Sequence, residues 1–386
     1  MTTESIAPAS QHTVTVTGYG AGGAGVARLG DGRVVFIRIA ARGDVLEVGL
    51  VSEQARSARA EIVRVLAPSP HRIEPDCPFY PDCGGCDFRH ISYEEELWAK
   101  LKRVNDAMSR IGGLSARASE VLRTGQVSGY RNKAVFHTDG HSIGFYRAQS
   151  HEVIPIDHCL LLKSDLNAAL RSLAHGGEIS LRTAKRERAA QSGKITLRSG
   201  RNGLSMPIEE ELGGLIFRVS GFFQVNTGAA LLLYQKAREL AGLSKNDTLV
   251  DLYCGVGTLT LFVGQDAGYA LGVEQNSEAV EAAWENARRN GMPHVSFICA
   301  DAAKWDAEIA KPDCIIVDPP RRGLSPGTIR KMLDLSPGRI VYLSCDPATL
   351  ARDLKNLEGY TVTDICAVDM FPRTANVECC CLLLKG

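Results

Sequence analysis

Short runs of alternating apolar and polar residues dominate the first part of the chain. Between residues 12 and 66, five such runs are separated by glycine turns, among them Gly18-Tyr19-Gly20 and Gly30-Asp31-Gly32. Alternation with a period of two, bounded by glycine turns, predicts short β-strands that close into a small OB-like barrel. We assign residues 10–67 to this domain. The predicted strands are 13–17, 25–28, 33–38, 45–51 and 60–66.

A helical pattern follows in the central part of the chain. Ser92-Tyr93-Glu94-Glu95 has the form of a capping box, and apolar residues then recur at helical spacing as far as Ile111. Gly112-Gly113 ends the pattern. We predict an amphipathic helix over 92–112 and a central α+β domain over 68–220. The helix packs either in that domain or on the C-terminal one.

Longer apolar blocks alternate with helical patterns in the C-terminal part of the chain. This order is typical of a doubly wound, mostly parallel sheet of the Rossmann-like type, and we assign residues 221–386 to it. Functional residues in such sheets lie at the carboxyl ends of the strands. The predicted strands are 248–252, 269–273, 295–300, 313–317, 339–343 and 379–384.

A glycine loop and three acidic residues follow the first strands of this domain. Tyr253-Cys254-Gly255-Val256-Gly257 leads into a helix at Thr258, and Asp251, Glu274 and Asp301 stand at successive strand ends. The loop lacks the Gly-x-Gly-x-x-Gly spacing, which disfavours NAD. An acid after the second strand suits a ribose diol. Together the three acids indicate a cationic adenosyl ligand, S-adenosylmethionine.

Three further strand ends carry candidate catalytic groups. Ser344-Cys345-Asp346-Pro347 places a cysteine where a strand stops and a helix begins. A lone cysteine there is either a nucleophile or a small buried apolar residue. Asp318-Pro319-Pro320 ends another strand in a stiff turn, and Glu378 precedes the last strand. Because carboxylates stand at the neighbouring strand ends, we favour the interpretation of Cys345 as a nucleophile.

The cysteines of the central region have the spacing of metal ligands. Cys77, Cys83 and Cys86 form a C-x5-C-x2-C pattern, and Cys159 is the candidate fourth ligand. Four thiolates can hold zinc or an iron–sulfur cluster. Paired C-x2-C knuckles would favour zinc, but only one such pair is present. The alternative is a set of free cysteines.

Composition and charge add few constraints. The 386 residues carry no formal net charge, so affinity for a polyanion would depend on local basic patches. No apolar run is long enough to span a membrane and no leader is recognisable, so we expect a cytoplasmic protein whose 12 cysteines are reduced. Candidate phosphate contacts are Arg28, Arg33, Arg38 and Arg59 in the barrel, and Arg182, Lys185, Arg186, Arg188, Lys194, Arg198 and Arg201 in the central region.

The combined motifs resemble the RNA uracil-5 methyltransferases, most closely the branch that acts on 23S ribosomal RNA. The resemblance covers nearly the whole chain, and the barrel resembles the TRAM domain, an RNA-binding module. The matching segments are Tyr130-Arg131-Asn132-Lys133, Phe222-Phe223-Gln224-Val225-Asn226, Asp251-Leu252-Tyr253-Cys254-Gly255-x-Gly257, Asp318-Pro319-Pro320-Arg321, Ser344-Cys345-Asp346-Pro347 and Asp369-Met370-Phe371-Pro372 running to Glu378.

The resemblance implies roles for individual residues. Cys345 is the implied nucleophile and Glu378 the implied base, while Cys77, Cys83, Cys86 and Cys159 hold a [4Fe–4S] cluster. The implied contacts to S-adenosylmethionine are Gln224, Tyr253, Gly255, Gly257, Thr258, Glu274, Asp301 and Asp318, and the expected contacts to RNA are Gln224, Asp318, Phe223 or its neighbour Phe222, and Arg131.

The chemistry of uracil explains why these residue types are needed. Uracil C5 is a poor nucleophile until a thiolate adds to C6 and turns the ring into an enolate. The pKa of Cys345 would then have to be lowered, and the adjacent helix start could lower it. A base must afterwards remove the C5 proton. Asp318 is expected to accept from uracil N3–H and Gln224 to donate to O4.

Three other interpretations are compatible with these motifs. The same reaction on the T-loop uridine of transfer RNA is the near alternative. A cytosine-5 methyltransferase usually has proline before its cysteine, whereas this chain has Ser344. A non-catalytic RNA-binding iron–sulfur protein is a more distant possibility. Arg373 and Asn376 stand where the family often has histidines, and Asp346 replaces an asparagine. We expect a monomer.

Overall fold

The computed structural model describes residues 11–175, 184–188, 193–204, 208–219, 222–306 and 311–386, and for 184–188 and 193–194 it describes the backbone alone. The chain divides into two compact units. The first unit comprises the described residues up to Arg103 together with Phe145–Ile154 and Arg373–Ala375. The second unit comprises Val104–Gly144, Pro155–Pro372 and Asn376–Gly386. The three sequence-based domain boundaries stay a prediction.

The predicted barrel strands form one sheet in the first unit. Its order is β1-β5-β6-β4-β3-β2, antiparallel except for the parallel pair of β4 and β6. Beyond β1 the chain hydrogen-bonds back to β3, from Thr17 N–H to Val26 O at 2.8 Å, so the sheet curls around a single apolar core. The strands are β1 (Gln11–Thr15), β2 (Gly18–Tyr19), β3 (Gly25–Arg28), β4 (Val34–Ile37), β5 (Val45–Glu53) and β6 (Ser57–Ala67).

The predicted capping box forms only in part. Helix α1 spans Tyr93–Ala107, and the Ser92 hydroxyl accepts from Glu95 N–H at 3.3 Å. The Glu95 side chain forms an ion pair with Arg42 at 2.7 Å. A π-helical turn, Met108–Gly112, continues the helix to Gly113, whose φ of 65° ends it. The helix thus begins in the first unit and ends in the second.

The remaining elements alternate between strands and helices. They are, in chain order, β7 (Val121–Leu122), β8 (Lys133–Thr138), β9 (Ile143–Tyr146), β10 (Val153–Pro155), α2 (Ser164–Ala174), β11 (Ala184–Arg188), β12 (Gly193–Arg198), β13 (Glu209–Leu212), β14 (Leu215–Arg218), α3 (Thr227–Ala241), β15 (Thr248–Leu252), α4 (Thr258–Gly264), β16 (Tyr269–Glu274), α5 (Ser277–Arg289), β17 (Val295–Cys299), β18 (Cys314–Val317), α6 (Pro326–Leu335), β19 (Arg339–Ser344), α7 (Pro347–Leu354), β20 (Tyr360–Val368) and β21 (Glu378–Lys385).

The second unit is built on an eight-stranded sheet that confirms the predicted α/β class. The strand order is β17-β16-β15-β18-β19-β21-β20-β7. Strands β15 to β19 are mutually parallel, and β21 lies antiparallel to β19. Because the parallel strands are buried on both faces, they read as near-continuous apolar runs. A smaller antiparallel sheet contains β9, β8, β12 and β11 in that order.

The described residues contain no helix long and apolar enough to cross a membrane. Of the basic residues at 182–201, Arg182 lies outside the described part, as do the side chains of Lys185, Arg186, Arg188 and Lys194.

Candidate active site

The strand directions bring the predicted catalytic residues to one edge of the sheet. Asp318 follows β18 and Cys345 follows β19, both at carboxyl ends. Strand β21 runs the opposite way, and Ser344 pairs with Cys379. Glu378 and Cys345 are therefore the next residues beyond that pair, on adjacent strands. This register brings a nucleophile and a carboxylate together although they are far apart in sequence.

A cavity of about 630 Å³ opens at this edge. It is lined by twelve of the residues predicted from the sequence: Cys345, Glu378, Phe222, Phe223, Gln224, Asp251, Tyr253, Gly255, Thr258, Glu274, Asp301 and Asp318. Gly257 and Arg131 do not line it. All of the lining residues belong to the second unit.

The glycine loop before α4 is held by an acid from the neighbouring strand. Gly255 N–H donates to Glu274 Oε2 at 3.1 Å, and Asn276 N–H donates to the other oxygen at 2.9 Å. Gly257 has a different reason to be glycine. At its φ of 81°, a Cβ would stand 2.8 Å from the Phe297 ring. Gly257 therefore allows close packing below the loop and does not face the cavity.

Burial perturbs the acid at the end of the first strand. Asp251 accepts from the Thr260 hydroxyl at 2.6 Å, and its second carboxylate oxygen has no hydrogen-bond partner among the described residues. Burial raises the pKa of Asp251 to about 8. A buried carboxylate oxygen without a donor beside a glycine loop fits a ligand that carries positive charge or donors.

The pKa of Cys345 is raised, so the expected lowering by the helix start is wrong. Burial is the largest cause, the charges of Glu378 and Asp318 add to it, and Arg321 opposes it, for a pKa of about 11. Helix α7 is already capped, because the Asp346 side chain accepts from Thr349 N–H at 2.8 Å. The protein alone therefore keeps this thiol protonated at neutral pH.

The two carboxyl groups beside Cys345 also have raised pKa values. Burial raises the pKa of Asp318 to about 6. Burial and then the charge of Asp318 raise that of Glu378 to about 8, with Arg321 opposing. Glu378 is only 4% exposed, so its charged form is poorly solvated. A group of this kind is suited to accept a proton near neutral pH.

Gln224 has a buried tyrosine partner that the sequence did not reveal. Tyr234, on α3, lines the cavity and its phenol is hydrogen-bonded to the Gln224 side chain. Burial, followed by the charges of Asp318, Asp251 and Glu378, raises its pKa well above the usual value. The only available signal was the helical spacing from Asn226 to Tyr234, which is equally typical of core packing.

A buried polar network fixes the backbone on either side of Gln224. The Asn132 amide donates to Gln224 O at 3.1 Å and to Glu210 at 3.0 Å. Arg198 donates to Phe223 O at 3.0 Å. Arg198 is 6% exposed and is therefore not the phosphate contact that the basic stretch suggested.

Removing Asn132 should disturb this network. We expect Asn132→Ala to lower the free energy of unfolding by about 1–3 kcal/mol, because a buried carboxylate and a carbonyl lose their donor. Denaturant unfolding measures the change. Asn246→Ala, in an exposed turn, is the matched control. Equal stability of the two variants would contradict this role for Asn132.

The aromatic pair before Gln224 divides between core and surface. Phe223 lines the cavity but is only 3% exposed, and it packs near Phe217 with ring centroids 6.2 Å apart. Phe222 also lines the cavity and is 70% exposed. Phe222 is thus the ring available for stacking on a base. Arg131 lies elsewhere, pairing through its backbone with Leu162 and Asn226, and its Nε is buried.

Two side chains from the family motifs anchor the loop that leads to Glu378. The Asn226 amide donates to Met370 O at 3.1 Å, and the Tyr130 hydroxyl donates to Pro372 O at 3.0 Å. Asn226 also caps α3 by accepting from Ala229 N–H at 3.1 Å. Asn376 in the same loop lines the cavity. Asn226 and Tyr130 therefore support the site from outside the cavity.

The cysteines with metal-ligand spacing do not form a metal site in the described residues. No group of three or more cysteine, histidine or acidic side chains there could hold a metal ion. Cys86 Sγ instead accepts from the buried Arg89 guanidinium at 3.3 Å. Cys77, Cys83 and Cys86 belong to the first unit and Cys159 to the second. The iron–sulfur cluster is not supported and stays a prediction.

The fold and the cavity define a methyltransferase. Residues 215–386 match the family described as tRNA (uracil-5-)-methyltransferase, and residues 10–63 match the TRAM domain. An uncharacterized RNA methyltransferase of Halalkalibacterium halodurans is 32% identical, with 95% of each chain covered. One from Gloeobacter violaceus is 33% identical, with 97% of this chain and 96% of the relative covered. The chain belongs to the family of S-adenosylmethionine-dependent uracil-5 RNA methyltransferases.

A solved structure shares the fold over nearly the whole chain. The tRNA (uracil-54, C5)-methyltransferase of Pyrococcus abyssi, in complex with S-adenosyl-L-homocysteine, superposes with a TM-score of 0.74 at 24% identity. The match covers 96% of this chain and 100% of that one. This likeness confirms the predicted fold, and the relatives and the family match confirm the predicted family.

Proposed function

We propose that this protein methylates C5 of a specific uridine in 23S ribosomal RNA through a covalent adduct between Cys345 and uracil C6. The observation that carries the proposal is the register of β19 against β21, which sets Cys345 beside Glu378 in one cavity with Asp318 and Gln224. The TRAM domain and the central cysteine motif favour the ribosomal substrate by family resemblance.

The cofactor side of the cavity fits S-adenosylmethionine, which supplies an electrophilic methyl group when bound. Glu274 would accept from the ribose hydroxyls, and the unpaired oxygen of Asp251 suits a ligand with positive charge. Gly255 leaves room for the ligand, and Tyr253 is braced by its hydroxyl against that of Thr328 at 3.0 Å. Thr258 and Asp301 complete this side of the cavity.

The uracil side works through four groups. Asp318 would accept from N3–H, and Gln224, held by Tyr234, would donate to O4 where negative charge develops. The Cys345 thiolate would add to C6, and C5 of the resulting enolate would take the methyl group, whose former carrier sulfur would leave as a neutral thioether. Glu378 then takes the proton from methylated C5, and the returning electron pair expels the thiolate, which restores the aromatic ring. A flipped base could stack on exposed Phe222.

The raised pKa of Cys345 gives Arg321 a specific role. Arg321 is the cation that opposes the effect of the two carboxylates on this thiol. We expect Arg321→Met to slow adduct formation at neutral pH by roughly two- to tenfold, because the thiol loses the cation that lowers its pKa. Because the thiol pKa rises further in the variant, raising the pH should restore the rate.

The measurement is the pH profile of adduct formation with 5-fluorouridine RNA. The control is Arg330→Met, on the exposed side of α6. A slow rate at every pH would assign Arg321 to RNA binding and reject its action on the thiol.

The nearest alternative is a transfer RNA substrate. The family description names tRNA, and the solved structure with the same overall fold is a tRNA (uracil-54, C5)-methyltransferase. Labelled S-adenosylmethionine with ribosomal and transfer RNA from cells lacking the enzyme separates the two. Label recovered as 5-methyluridine in 23S RNA supports the proposal. Label confined to transfer RNA keeps the reaction and overturns the substrate.

A separate test concerns the four cysteines at 77, 83, 86 and 159. We propose that they hold a [4Fe–4S] cluster with a structural role in a monomeric, cytoplasmic enzyme. Iron and sulfide analysis of anaerobically prepared protein decides this point, and zinc without iron would refute it. Light scattering of the same sample gives the oligomeric state.

A further inference from the structure

The outer surface of the TRAM sheet carries a second cavity, of about 420 Å³. Its lining belongs to the first unit and lies outside the methyltransferase site. The volume falls within the range of roughly 300–1,000 Å³ that is typical of ligand pockets. The cavity contains one exposed aromatic ring, two arginines and a loop of small residues.

Strand alternation explains how these side chains come together. Val35 and Ile37 of β4 point into the core, so Phe36 and Arg38 share the outer face. In the parallel neighbour β6, Arg59 is the direct partner of Phe36. Glu61 lies two residues further along β6, on the same face and next to Arg38.

The Phe36 ring is placed as an open platform. It is 37% exposed, a large value for a phenylalanine. The Gly20 backbone lies against its edge, because a Cβ there would be 3.2 Å from the ring carbon Cε1. Glycine at this position keeps the loop close to the ring. Gln149, which adopts a left-handed φ of 61°, also lines the cavity.

The four barrel arginines differ in the partners of their side chains. Arg33 is paired with Asp31 at 2.6 Å and Glu53 at 2.7 Å, and Arg28 donates to Gly32 O. They are therefore engaged locally. Arg59 is exposed and makes no side-chain hydrogen bond or ion pair with another described residue. Arg38 lines the cavity and donates to Pro81 O, which fixes its direction.

We propose that this cavity binds one unstacked nucleotide of the RNA substrate, with its base on Phe36 and its phosphates at Arg59 and Arg38. An aromatic face next to an unpaired guanidinium, that of Arg59, and a second one held in place by Pro81 O, that of Arg38, is a combination that suits single-stranded nucleic acid. The inference rests on the proposed function in that it takes RNA as the substrate. It adds an anchoring point on the TRAM domain, outside the cavity that holds the target uridine.

The test measures the affinity of the full-length protein for fluorescein-labelled dodecauridylate by anisotropy. We expect Phe36→Ala and Phe36→Leu to weaken binding on the order of tenfold, since stacking contributes about 1–3 kcal/mol per base. Phe36→Tyr keeps the ring and should bind as the wild type does. Val63→Ala, also exposed on this sheet, is the control.

Charge variants give an independent readout. Arg59→Ala should weaken binding and reduce the slope of log affinity against log salt by about one, because one phosphate contact is lost. Arg64→Ala, on the same strand and paired with Glu47, should leave the slope unchanged. Glu61→Gln removes the opposing charge and should tighten binding several-fold, a gain that misfolding cannot produce.

These outcomes are separable from the proposed reaction. The binding assay requires neither S-adenosylmethionine nor Cys345. Adduct formation with 5-fluorouridine RNA at saturating concentration should persist in Phe36→Ala. If Phe36→Ala and Glu61→Gln both bind within twofold of the wild type, the cavity is not a nucleotide site. That result would overturn this inference and leave the methyltransferase proposal intact.

Discussion

Glu378→Gln is expected to hold the enzyme covalently on its RNA. The amide keeps the shape of the side chain but cannot take the C5 proton, so addition of Cys345 and methyl transfer still occur while release fails. General-base catalysis contributes roughly 10²- to 10⁴-fold, and turnover should fall by that amount. The complex should survive denaturing electrophoresis, with ordinary uridine RNA as well as with 5-fluorouridine RNA.

The pH dependence gives this prediction a second readout. Since the pKa of Glu378 is raised to about 8, its carboxylate is mostly protonated below that pH and cannot act as a base. Product release by the wild type should therefore slow as the pH falls below about 8. Glu358→Gln, at an exposed turn after α7, should behave as the wild type does. Free turnover of Glu378→Gln would exclude the proposed base.

Cys345→Ala should abolish both the adduct and methylation. No other described side chain in the cavity combines a nucleophilic atom with this position at the end of β19, beside Glu378. Without thiolate addition, C5 is not activated, and the loss should reach the background of the assay. Mass spectrometry after incubation with 5-fluorouridine RNA measures the adduct directly.

Cys299→Ala is the matched control for that experiment. Cys299 is an exposed cysteine at the end of β17, the edge strand of the same sheet, and it does not line the cavity. Its variant should form the adduct at the wild-type rate. Retained methylation by Cys345→Ala would instead point to a mechanism without covalent catalysis.

Much of the fold could be predicted from local patterns. The apolar block at 248–252 coincides with β15, and that at 339–343 differs from β19 by one residue. Buried parallel strands are continuous apolar runs, which are easily recognised. The two-residue β2 was missed in the barrel, because so short a strand has no period of its own.

The site residues that could be predicted from the sequence are those at the ends of strands. Cys345, Asp318 and Glu274 each follow an apolar block, and parallel strands bring such ends to one edge. Tyr234 and Arg198 could not be placed in this way. Tyr234 lies within a helix whose apolar face is typical of core packing. Arg198 lies in a basic stretch that suggested an exposed side chain.

The sequence by itself determined which functional residue follows which strand, the family, and the residue types at the reacting centre. Only the tertiary structure decided the electrostatics. Burial together with the carboxylates of Glu378 and Asp318 raises the pKa of Cys345, which outweighs the helix start beside it. The tertiary structure also decided that Phe222 is exposed whereas Phe223 is buried in the core. Both results depend on what surrounds a side chain in space, and residues distant in sequence supply those surroundings.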